Sequence, residues 1–331
     1  MTTTNKLLPV FDSLTEKPKA TSIHKLMGAW VVFVFVSTWI SSLLSPFALI
    51  WSIYSAQYAV TAFIVGVSAI AYLPWKKGSL CDTWQNFVCF AHYRLYRSTR
   101  ILCEDKLPTT QKYPIFYAIH THGAFCLGWS CIFHSPAFQK VRFCFAPALY
   151  ASPFFRLFSR MTGNPGSASK PAMVSYMRKK LDMALPPGGF EEATLTDMHQ
   201  DRVFIKKRTG FIKLCLQHGY HVRPVFTFGE KRTFWNIQGF WKLRLALNRM
   251  GLPAILVWGN PLFPIVPKND LDMVVLIGKA IPLPQIDQPT REQVQEWHGK
   301  YIVALQELFE NHKEMAYGKE NGGKDCKLEV W

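Results

Sequence analysis

The most informative stretch of the chain reads Tyr113-Pro-Ile-Phe-Tyr-Ala-Ile-His-Thr-His-Gly-Ala-Phe-Cys-Leu-Gly128. The run from Ile115 to His120 is compatible with a buried strand. After Gly123, apolar residues recur at helical spacing, so the stretch predicts a strand that ends where a helix begins. Such junctions are frequent sites of chemistry in α/β proteins, because a helix N-terminus offers free N–H groups to an anion.

Two histidines, His120 and His122, lie at this junction. Residues two apart in an extended chain face the same side, so we expect both imidazoles to point one way. Imidazole is the side chain best suited to take up a proton near neutral pH. The pair therefore predicts a catalytic base. Two other interpretations stay open, a hydrogen-bonded core histidine and a metal site.

The composition predicts a membrane-anchored globular protein. Of the 331 residues, 49% are hydrophobic and only 18% are charged, and the mean hydropathy is +0.04. The net charge of +16 favours phosphate-bearing partners, such as anionic lipid or a phosphorylated cofactor. We expect no nucleic-acid partner, because zinc-finger and RNA-recognition signatures are missing. The eight cysteines show no Cys-x-x-Cys spacing, which indicates reduced thiols in a cytosolic compartment.

An uncharged apolar segment precedes the rest of the chain. Residues 26–75 contain no Asp, Glu, Lys or Arg, and one membrane-spanning helix needs about 20 apolar residues. We predict two helices, near 27–45 and 53–73, separated by a break at Ser45-Pro46. Lysines flank both ends, which places both ends on the cytosolic side and predicts a membrane-embedded hairpin. A pair of buried core helices is the alternative.

The remaining segments predict one α/β domain, a mixed sheet with flanking helices. We expect a flexible tail at 1–25, the hairpin at 26–75, the globular domain at 76–316 and a polar tail at 317–331. Residues 78–112 are amphipathic and basic, as expected either on a membrane surface or against the domain core. The pattern Thr290-x-x-Gln293 predicts a capping box that opens a long helix. Its apolar stripe, which we assign to the core, comprises Val294, Trp297, Tyr301, Leu305 and Leu308.

Two further clusters can carry chemistry. In Pro187-Gly-Gly-Phe-Glu-Glu192, glycines allow close backbone approach and a carboxylate can orient a histidine, although an ordinary turn would look similar. Lys206-Lys-Arg208 precedes a predicted helix start at Thr209, as in phosphate sites, although a solvated basic face would also fit. The signatures of α/β-hydrolases, P-loop proteins and Rossmann folds are missing from the sequence.

Taken in order, these motifs make residues 26–316 resemble the type-2 diacylglycerol acyltransferase family, which includes monoacylglycerol and wax-alcohol acyltransferases. His120-Thr-His-Gly123 is similar to the family's His-Pro-His-Gly, and Gly188-Gly-Phe-Glu-Glu192-Ala to its Gly-Gly-Ala-x-Glu-Ala. Lys206-Lys-Arg-Thr-Gly-Phe-Ile-Lys213 and Arg223-Pro-Val-Phe-Thr-Phe-Gly-Glu230 resemble two later motifs, and Pro153 and Arg156 also fit. Thr121 replaces a proline and Phe190 an alanine, and neither change removes a reactive group.

The resemblance implies acyl transfer from acyl-CoA to the free hydroxyl of diacylglycerol, forming triacylglycerol. We expect this at the endoplasmic reticulum membrane or lipid droplets, with the catalytic domain facing the cytosol. His122 would be the base, Glu192 would orient it and His120 would assist, with His120 as the alternative base. The expected substrate-binding residues are Gly123, Gly188, Gly189, Lys206, Arg208 and Arg156, with backbone N–H groups after Gly123 as oxyanion donors and Lys206 and Arg208 on the phosphates of coenzyme A.

Beyond acyl-CoA as co-substrate, we expect no cofactor and no metal. Transfer to monoacylglycerol or to a long-chain alcohol is the alternative within the same chemistry. From other classes, a metal-dependent hydrolase using the histidine pair and a non-catalytic lipid-droplet protein stay open. The sequence also leaves open a homo-oligomer, and whether the hairpin spans the bilayer or sits in one leaflet.

Overall fold

The computed structural model describes residues 7–15, 20–107, 113–121, 123–250, 254–318 and 323–331. The strands are β1 (Leu8–Asp12), β2 (Ser98–Cys103), β3 (Ile115–His120), β4 (Arg142–Phe145), β5 (Pro165–Ser167), β6 (Met183–Leu185), β7 (Asp201–Val203), β8 (His221–Phe228), β9 (Trp235–Asn236), β10 (Val257–Trp258), β11 (Asp272–Ile277) and β12 (Leu328–Val330).

The α-helices are α1 (Ser22–Tyr54), α2 (Tyr58–Tyr72), α3 (Ser79–Tyr93), α4 (Leu127–His134), α5 (Pro147–Ala151), α6 (Pro153–Thr162), α7 (Lys170–Arg178), α8 (Gly189–Thr194), α9 (Gly210–His218), α10 (Trp241–Arg249) and α11 (Arg291–Tyr317). Short 3-10 turns cover Pro136–Phe138 and Glu230–Arg232.

The centre of the protein is an eight-stranded mixed sheet with the order β1-β2-β11-β8-β3-β6-β4-β5. Strand β3 is paired parallel with β8 on one side and with β6 on the other. The antiparallel pairs are β1 with β2 and β11 with β8. The predicted mixed α/β architecture is therefore confirmed.

Both faces of the sheet are buried, as the strand sequences indicate. Along β3, Ile115, Tyr117 and Ile119 belong to one apolar cluster, while Phe116 and Ala118 belong to the other. The first cluster includes residues of α1, α3, α4 and α6, and the second includes residues of α7, α9 and α11. His120 continues the alternation of Phe116 and Ala118, so its side chain lies on the side of α11.

The predicted break at Ser45-Pro46 is wrong. Helix α1 runs without interruption through Pro46 to Tyr54, and the turn before α2 lies at residues 55–57. A mid-helix proline loses one hydrogen bond and costs about 3 kcal/mol. Ending the helix there would instead leave about four N–H and four C=O groups without their helical partners.

Helix α1 has two halves with different environments. Near its start, Gly28, Val31, Val32, Phe35 and Val36 are buried against the domain. Its second half and α2 instead expose large apolar side chains, among them Leu43, Leu44, Phe47, Ile50, Trp51, Ile53, Tyr58 and Phe63. The two helices are joined by a hydrogen bond of 2.9 Å between the hydroxyls of Ser52 and Thr61.

In the described part of the chain, α1 is the one helix whose length and apolar composition suffice to cross a membrane. About 28% of its most apolar window is buried inside the protein. Helix α2 is apolar but shorter, with 15 residues. Length and composition alone do not separate a membrane hairpin from a partly packed surface pair, so membrane insertion stays a prediction.

Both expected tails contribute strands. In the first, β1 pairs antiparallel with β2 at the sheet edge. In the last, β12 pairs parallel with β7, and Trp331 accepts hydrogen bonds from the N–H groups of Ile205 and Lys206 at 2.9 and 2.7 Å. Parts of both tails are therefore ordered, which their polar composition did not indicate.

Several predicted elements are confirmed. Helix α11 opens with the predicted capping box between Thr290 and Gln293. Helix α3 buries Val88, Ala91 and Tyr93, so the amphipathic segment packs on the domain core.

Candidate active site

Three predicted motifs meet at one edge of the sheet because β3 lies between two parallel neighbours. His120 is the last residue of β3. Strand β6 ends beside it and leads into the Pro-Pro-Gly-Gly turn and α8, which carries Glu192. Strand β8 ends on the other side and leads into Gly229 and Glu230. Since parallel strands have their carboxyl ends at the same edge, segments far apart in sequence converge here.

His120 is completely buried and both of its ring nitrogens are engaged. Nδ1 lies 3.0 Å from Oε2 and 3.2 Å from Oε1 of Glu192, and Nε2 lies 2.8 Å from the hydroxyl of Tyr301. Glu192 also accepts a hydrogen bond of 2.9 Å from the backbone N–H of Phe204. A buried carboxylate–histidine pair therefore exists, and it joins Glu192 to His120. The expected role of Glu192 in orienting His122 stays a prediction.

Burial, and then the charge of Glu192, raise the pKa of Tyr301 well above its usual range, so the phenol stays protonated. It therefore donates to Nε2 of His120, which leaves Nδ1–H to donate to Glu192. One neutral tautomer satisfies all three side chains, and the imidazole is held at both ends.

Tyr301 is the functional candidate that the sequence argument missed. It was assigned to the core stripe of α11, and its ring does pack there, 5.1 Å from that of Phe211. Its hydroxyl, however, contacts His120, which is 181 positions earlier. The signal available in the sequence was a phenol in an otherwise apolar stripe, because a buried tyrosine hydroxyl needs a partner.

The two glycines before Glu192 allow its carboxylate to fold back over the turn. A Cβ on Gly188 would lie 2.1 Å from Oε2 of Glu192, and Gly189 has a φ of +61°. Any larger residue at 188 would displace the carboxylate that holds His120. Gly188 and Gly189 therefore support Glu192, while their expected contact with substrate stays a prediction.

His122 lies outside the described residues, so its expected role as base stays a prediction. The residue after it, Gly123, packs directly on Glu230: a Cβ there would meet Cγ of Glu230 at 2.5 Å. Helix α4 begins four residues later, at Leu127, and Cys126 before it has a left-handed φ of +50°. The segment that carries the histidine motif is thus closely packed against the end of β8.

The basic cluster lies beside the turn that carries Glu192. Arg208 forms an ion pair with Glu191, and Lys206 and Lys207 are exposed. Helix α9 begins at Gly210 without a side-chain cap, so its first N–H groups are not capped by Thr209. These features suit an anion, and the expected contact with coenzyme A stays a prediction.

Arg156 contacts a different part of the protein. Its Nε donates to the carbonyl of Ala71 at 3.1 Å, and its guanidinium lies over the rings of Tyr72 and Tyr150. These contacts tie α6 to the C-terminal end of α2. Its expected role in substrate binding stays a prediction.

A cavity of about 680 Å³ lies at the other end of β3, lined by Tyr113, Pro114, Tyr117, Lys140 and Lys180, among other residues. From Ile115 to His120 a strand extends roughly 17 Å, at about 3.3 Å per residue. The cavity is therefore separate from the candidate site.

A comparison with family models matches residues 51–328 to the diacylglycerol acyltransferase family. The chain belongs to this family. The match contains every segment that converges at the carboxyl end of β3, and it confirms the resemblance that the motifs indicated.

The protein is similar to family members with different named acceptors. Acyl-CoA wax alcohol acyltransferase 1 of Homo sapiens is 28% identical over 267 residues, covering 73% of this chain and 80% of that protein. 2-Acylglycerol O-acyltransferase 3 of Homo sapiens is 28% identical, covering 73% and 78%. Diacylglycerol O-acyltransferase 2 of Xenopus tropicalis is 26% identical, covering 74% and 75%. O-acyl transfer is common to these names, and the acceptor is not.

Among solved structures, the 1-acyl-sn-glycerophosphate acyltransferase PlsC of Thermotoga maritima aligns with a TM-score of 0.38 and 11% identity. The alignment covers 85% of this chain and 95% of that one. A TM-score of this size does not show that the two proteins share a fold or a site.

The alternative of a metal site at the histidine pair finds no support in the donor set. Both ring nitrogens of His120 are engaged, by Glu192 and by Tyr301, so neither faces a free position, while His122 lies outside the described residues. In the ranges that the structure describes, no group of three or more His, Cys, Asp or Glu side chains is arranged to hold a metal.

Proposed function

We propose that this diacylglycerol acyltransferase family protein transfers the acyl group of acyl-CoA to the free hydroxyl of diacylglycerol, forming triacylglycerol. The family match over residues 51–328 carries the proposal. The buried contact between His120 and Glu192 supports it, since it joins the two motifs from which acyl-transfer chemistry was expected.

In this mechanism His122 takes the proton from the acceptor hydroxyl as the oxygen attacks the thioester carbonyl. The tetrahedral intermediate then breaks its C–S bond, and coenzyme A leaves as the thiol after its sulfur takes that proton from His122. The environment of His120 supports this assignment. Its Nε2 already accepts from Tyr301, so it could take a substrate proton only after that hydrogen bond was broken. His120, held by Glu192, instead anchors the chain directly before His122. N–H groups after Gly123 would donate to the oxyanion.

Lys206 and Arg208 would bind the phosphates of coenzyme A next to the uncapped start of α9. Charge, free N–H groups and the helix dipole act together on an anion there. The Glu191–Arg208 ion pair holds this basic cluster beside α8, the helix that also carries Glu192.

The exposed apolar half of α1, together with α2, would insert into the endoplasmic reticulum membrane or a lipid-droplet monolayer. The domain would then face the cytosol and receive its lipid acceptor directly from the membrane. Support comes from the large apolar side chains that these helices leave uncovered, such as Phe47, Trp51 and Phe63.

No cofactor and no metal are needed in this scheme, with acyl-CoA as the co-substrate. Monoacylglycerol or a long-chain alcohol is the second candidate acceptor. It is favoured by the similarity to the human wax alcohol and 2-acylglycerol enzymes, at identities as high as that to the Xenopus diacylglycerol enzyme.

The proposal is tested on membranes from cells that lack their own neutral-lipid synthesis. Labelled acyl-CoA is supplied with diacylglycerol, monoacylglycerol or a fatty alcohol, using wild type, His122→Ala and His199→Ala. His199 is exposed and belongs to none of the motifs, so its variant is the control. We expect label in triacylglycerol with wild type and control, and a loss of roughly 10²–10⁴-fold with His122→Ala.

If label appeared only in another ester, the proposed acceptor would change and the proposed mechanism would stand. An active His122→Ala enzyme would contradict the base assignment alone. No label in any product, from well-expressed wild type, would contradict acyl transfer and favour the hydrolase or the non-catalytic interpretation.

A further inference from the structure

Glu230 is a buried carboxylate that the mechanism above does not use. It follows β8 and Gly229, and its side chain is 0% exposed. Gly229 has a φ of +86°, and a Cβ there would lie 2.0 Å from the carbonyl oxygen of Asp272. Only glycine fits such a turn, so the backbone holds Glu230 in one place at the carboxyl edge of the sheet.

Its first contact is with the start of α4. Oε1 accepts a hydrogen bond of 3.1 Å from the N–H of Gly128, the second residue of that helix. Cys126, at the N-cap position, forms no side-chain cap. The carboxylate of Glu230 thus replaces the missing cap from 102 positions away, with its charge at the positive end of the helix dipole.

Its second contact is with Gly123. A Cβ at Gly123 would meet Cγ of Glu230 at 2.5 Å and Oε1 at 2.8 Å, so the backbone lies on the carboxylate itself. Gly128 lies equally close to β8, since a Cβ there would be 2.2 Å from the side chain of Thr227 in that strand. One side chain therefore touches both ends of the segment 123–128.

Two ionisable side chains near Glu230, Cys126 and Tyr96, are uncharged. Burial, and then the charge of Glu230, raise the pKa of the Cys126 thiol to about 12. Burial, then the thiol of Cys131, and then Glu230 raise the pKa of Tyr96 well above its usual range. Both neighbours therefore stay protonated and uncharged. A buried carboxylate is costly, which indicates a function beyond that of a helix cap.

We infer that Glu230 is a positioning residue that holds the segment directly after His122, through Gly123 and the Gly128 N–H, in the geometry that acyl transfer requires. The inference rests on the proposed function for the consequence in catalysis. The contact itself does not depend on that function. Glu230 acts through the backbone and touches no reacting atom.

The test compares Glu230→Ala, Glu230→Gln and the control Tyr317→Phe. Tyr317→Phe removes a buried hydrogen bond of 2.6 Å to Asp201 and the interaction of the hydroxyl with the backbone of Gly229, so it perturbs the turn before Glu230 but keeps the carboxylate itself. For each protein we measure thermal stability, kcat and KM for acyl-CoA, and hydrogen exchange of the peptide 121–130. Glu230→Gln keeps an acceptor for Gly128 at nearly the same volume.

With Glu230→Ala we expect exchange at the Gly128 amide to become at least tenfold faster. We also expect kcat to fall at least tenfold, with KM for acyl-CoA within twofold. Glu230→Gln should restore slow exchange and return kcat to within about threefold of wild type. Tyr317→Phe should lower thermal stability and leave kcat and the exchange of 121–130 unchanged.

The inference is overturned if Glu230→Ala folds and keeps kcat within twofold, or if its loss of activity equals that of Tyr317→Phe at equal stability. Unchanged exchange at Gly128 overturns it as well. If wild type transfers no acyl group, the proposed function fails, and the exchange comparison still decides whether Glu230 holds this segment. If Glu230→Ala does not fold, Glu230→Gln decides in its place: kcat within about threefold of wild type with slow exchange at Gly128 supports positioning, and a larger fall in kcat with that exchange unchanged overturns it.

Discussion

His120 is held by hydrogen bonds at both ring nitrogens, and its partner Glu192 is held by a further hydrogen bond. Tyr301 donates to one nitrogen, the other donates to Glu192, and Glu192 is itself held by the N–H of Phe204. An imidazole with both ring nitrogens hydrogen-bonded is held in one orientation. The chain that leaves β3 toward His122 therefore starts from a defined position.

Tyr301→Phe tests this directly. It removes the O–H that satisfies Nε2 of His120 and keeps the ring that packs on Phe211. We expect kcat to fall about tenfold, equivalent to a hydrogen bond of about 1.4 kcal/mol.

The matched control is Tyr220→Phe. Tyr220 is also fully buried, and its hydroxyl donates to the carbonyl of Leu181 at 2.6 Å, away from the site. Both variants should lower the free energy of unfolding by about 1 kcal/mol, and only Tyr301→Phe should lower kcat. Equal kinetics for the two would show that Tyr301 is a core residue alone.

At the scale of residues, short local patterns in the sequence were enough to predict which residues are candidates for the site. The histidines after a strand and the glycine-rich turn before Glu192 are short-range signals, and both lie at one edge of the sheet as expected. Which side chains contact His120 could not be predicted from the neighbouring sequence. Glu192 is 72 positions from His120 and Tyr301 is 181, and neither periodicity nor spacing encodes that β6 and α11 flank β3.

At the scale of elements, α1 is anchored to the domain by a close approach at one glycine. A Cβ on Gly28 would lie 2.6 Å from the carbonyl oxygen of Ala91 and 2.8 Å from Cβ of Leu95. The helix can therefore lie on the end of α3 only because residue 28 has no side chain. The remainder of α1 is free to carry its exposed apolar surface away from the domain.

Gly28→Ala and Gly66→Ala make a matched pair of helical substitutions. At Gly66 in α2 a Cβ would meet nothing within 4 Å, so alanine should stabilise the helix by about 0.5–1 kcal/mol. At Gly28 the same change should destabilise the protein by about 1–3 kcal/mol, because backbone atoms must move apart. Thermal unfolding in detergent measures both. A stabilising Gly28→Ala would contradict the close packing of α1 on α3.

The elements also show where sequence rules stop. The Thr290–Gln293 capping box placed the start of α11 correctly, since a cap is a local arrangement of hydrogen bonds. Pro46 indicated a break that does not occur, since the local penalty of proline competes with the cost of unsatisfied backbone over a whole helix end. The strand β1 lay in a polar segment, and its pairing with β2 depends on a distant edge.

At the scale of the whole molecule, α3 and α4 are packed together under α1 through two buried histidines. The rings of His92 and His134 lie 5.6 Å apart, and that of His134 lies 5.8 Å from Phe35 of α1. Burial lowers the pKa of His92 to about 4. Burial, and then the nearby His92, lower that of His134 well below its usual range. Both imidazoles are therefore neutral in the folded protein.

These shifts make the packing of α1, α3 and α4 sensitive to acid. A histidine whose folded pKa is lowered contributes fully above its unfolded pKa of about 6.5, and that contribution is lost as the pH falls toward the folded value. For His92 the window runs from about 6.5 down to about 4, and each pH unit within it should lower the free energy of unfolding by about 1.4 kcal/mol. The carboxylate of Asp272, whose pKa is lowered from 3.8, against the effect of burial, by its hydrogen bonds with Arg97 and Ser98, acts only below this window.

Unfolding measured between pH 7.5 and 4.5 should therefore show a steep loss of stability for wild type, and a shallower one for His134→Leu. Leucine removes one proton-binding site, and no described group pairs with either ring nitrogen of His134, so the substitution leaves no hydrogen bond broken. His199→Gln replaces an exposed histidine and should keep the wild-type slope. If all three proteins lose stability in parallel, the acid sensitivity arises elsewhere, and His92 and His134 do not make the packing of α1, α3 and α4 depend on pH.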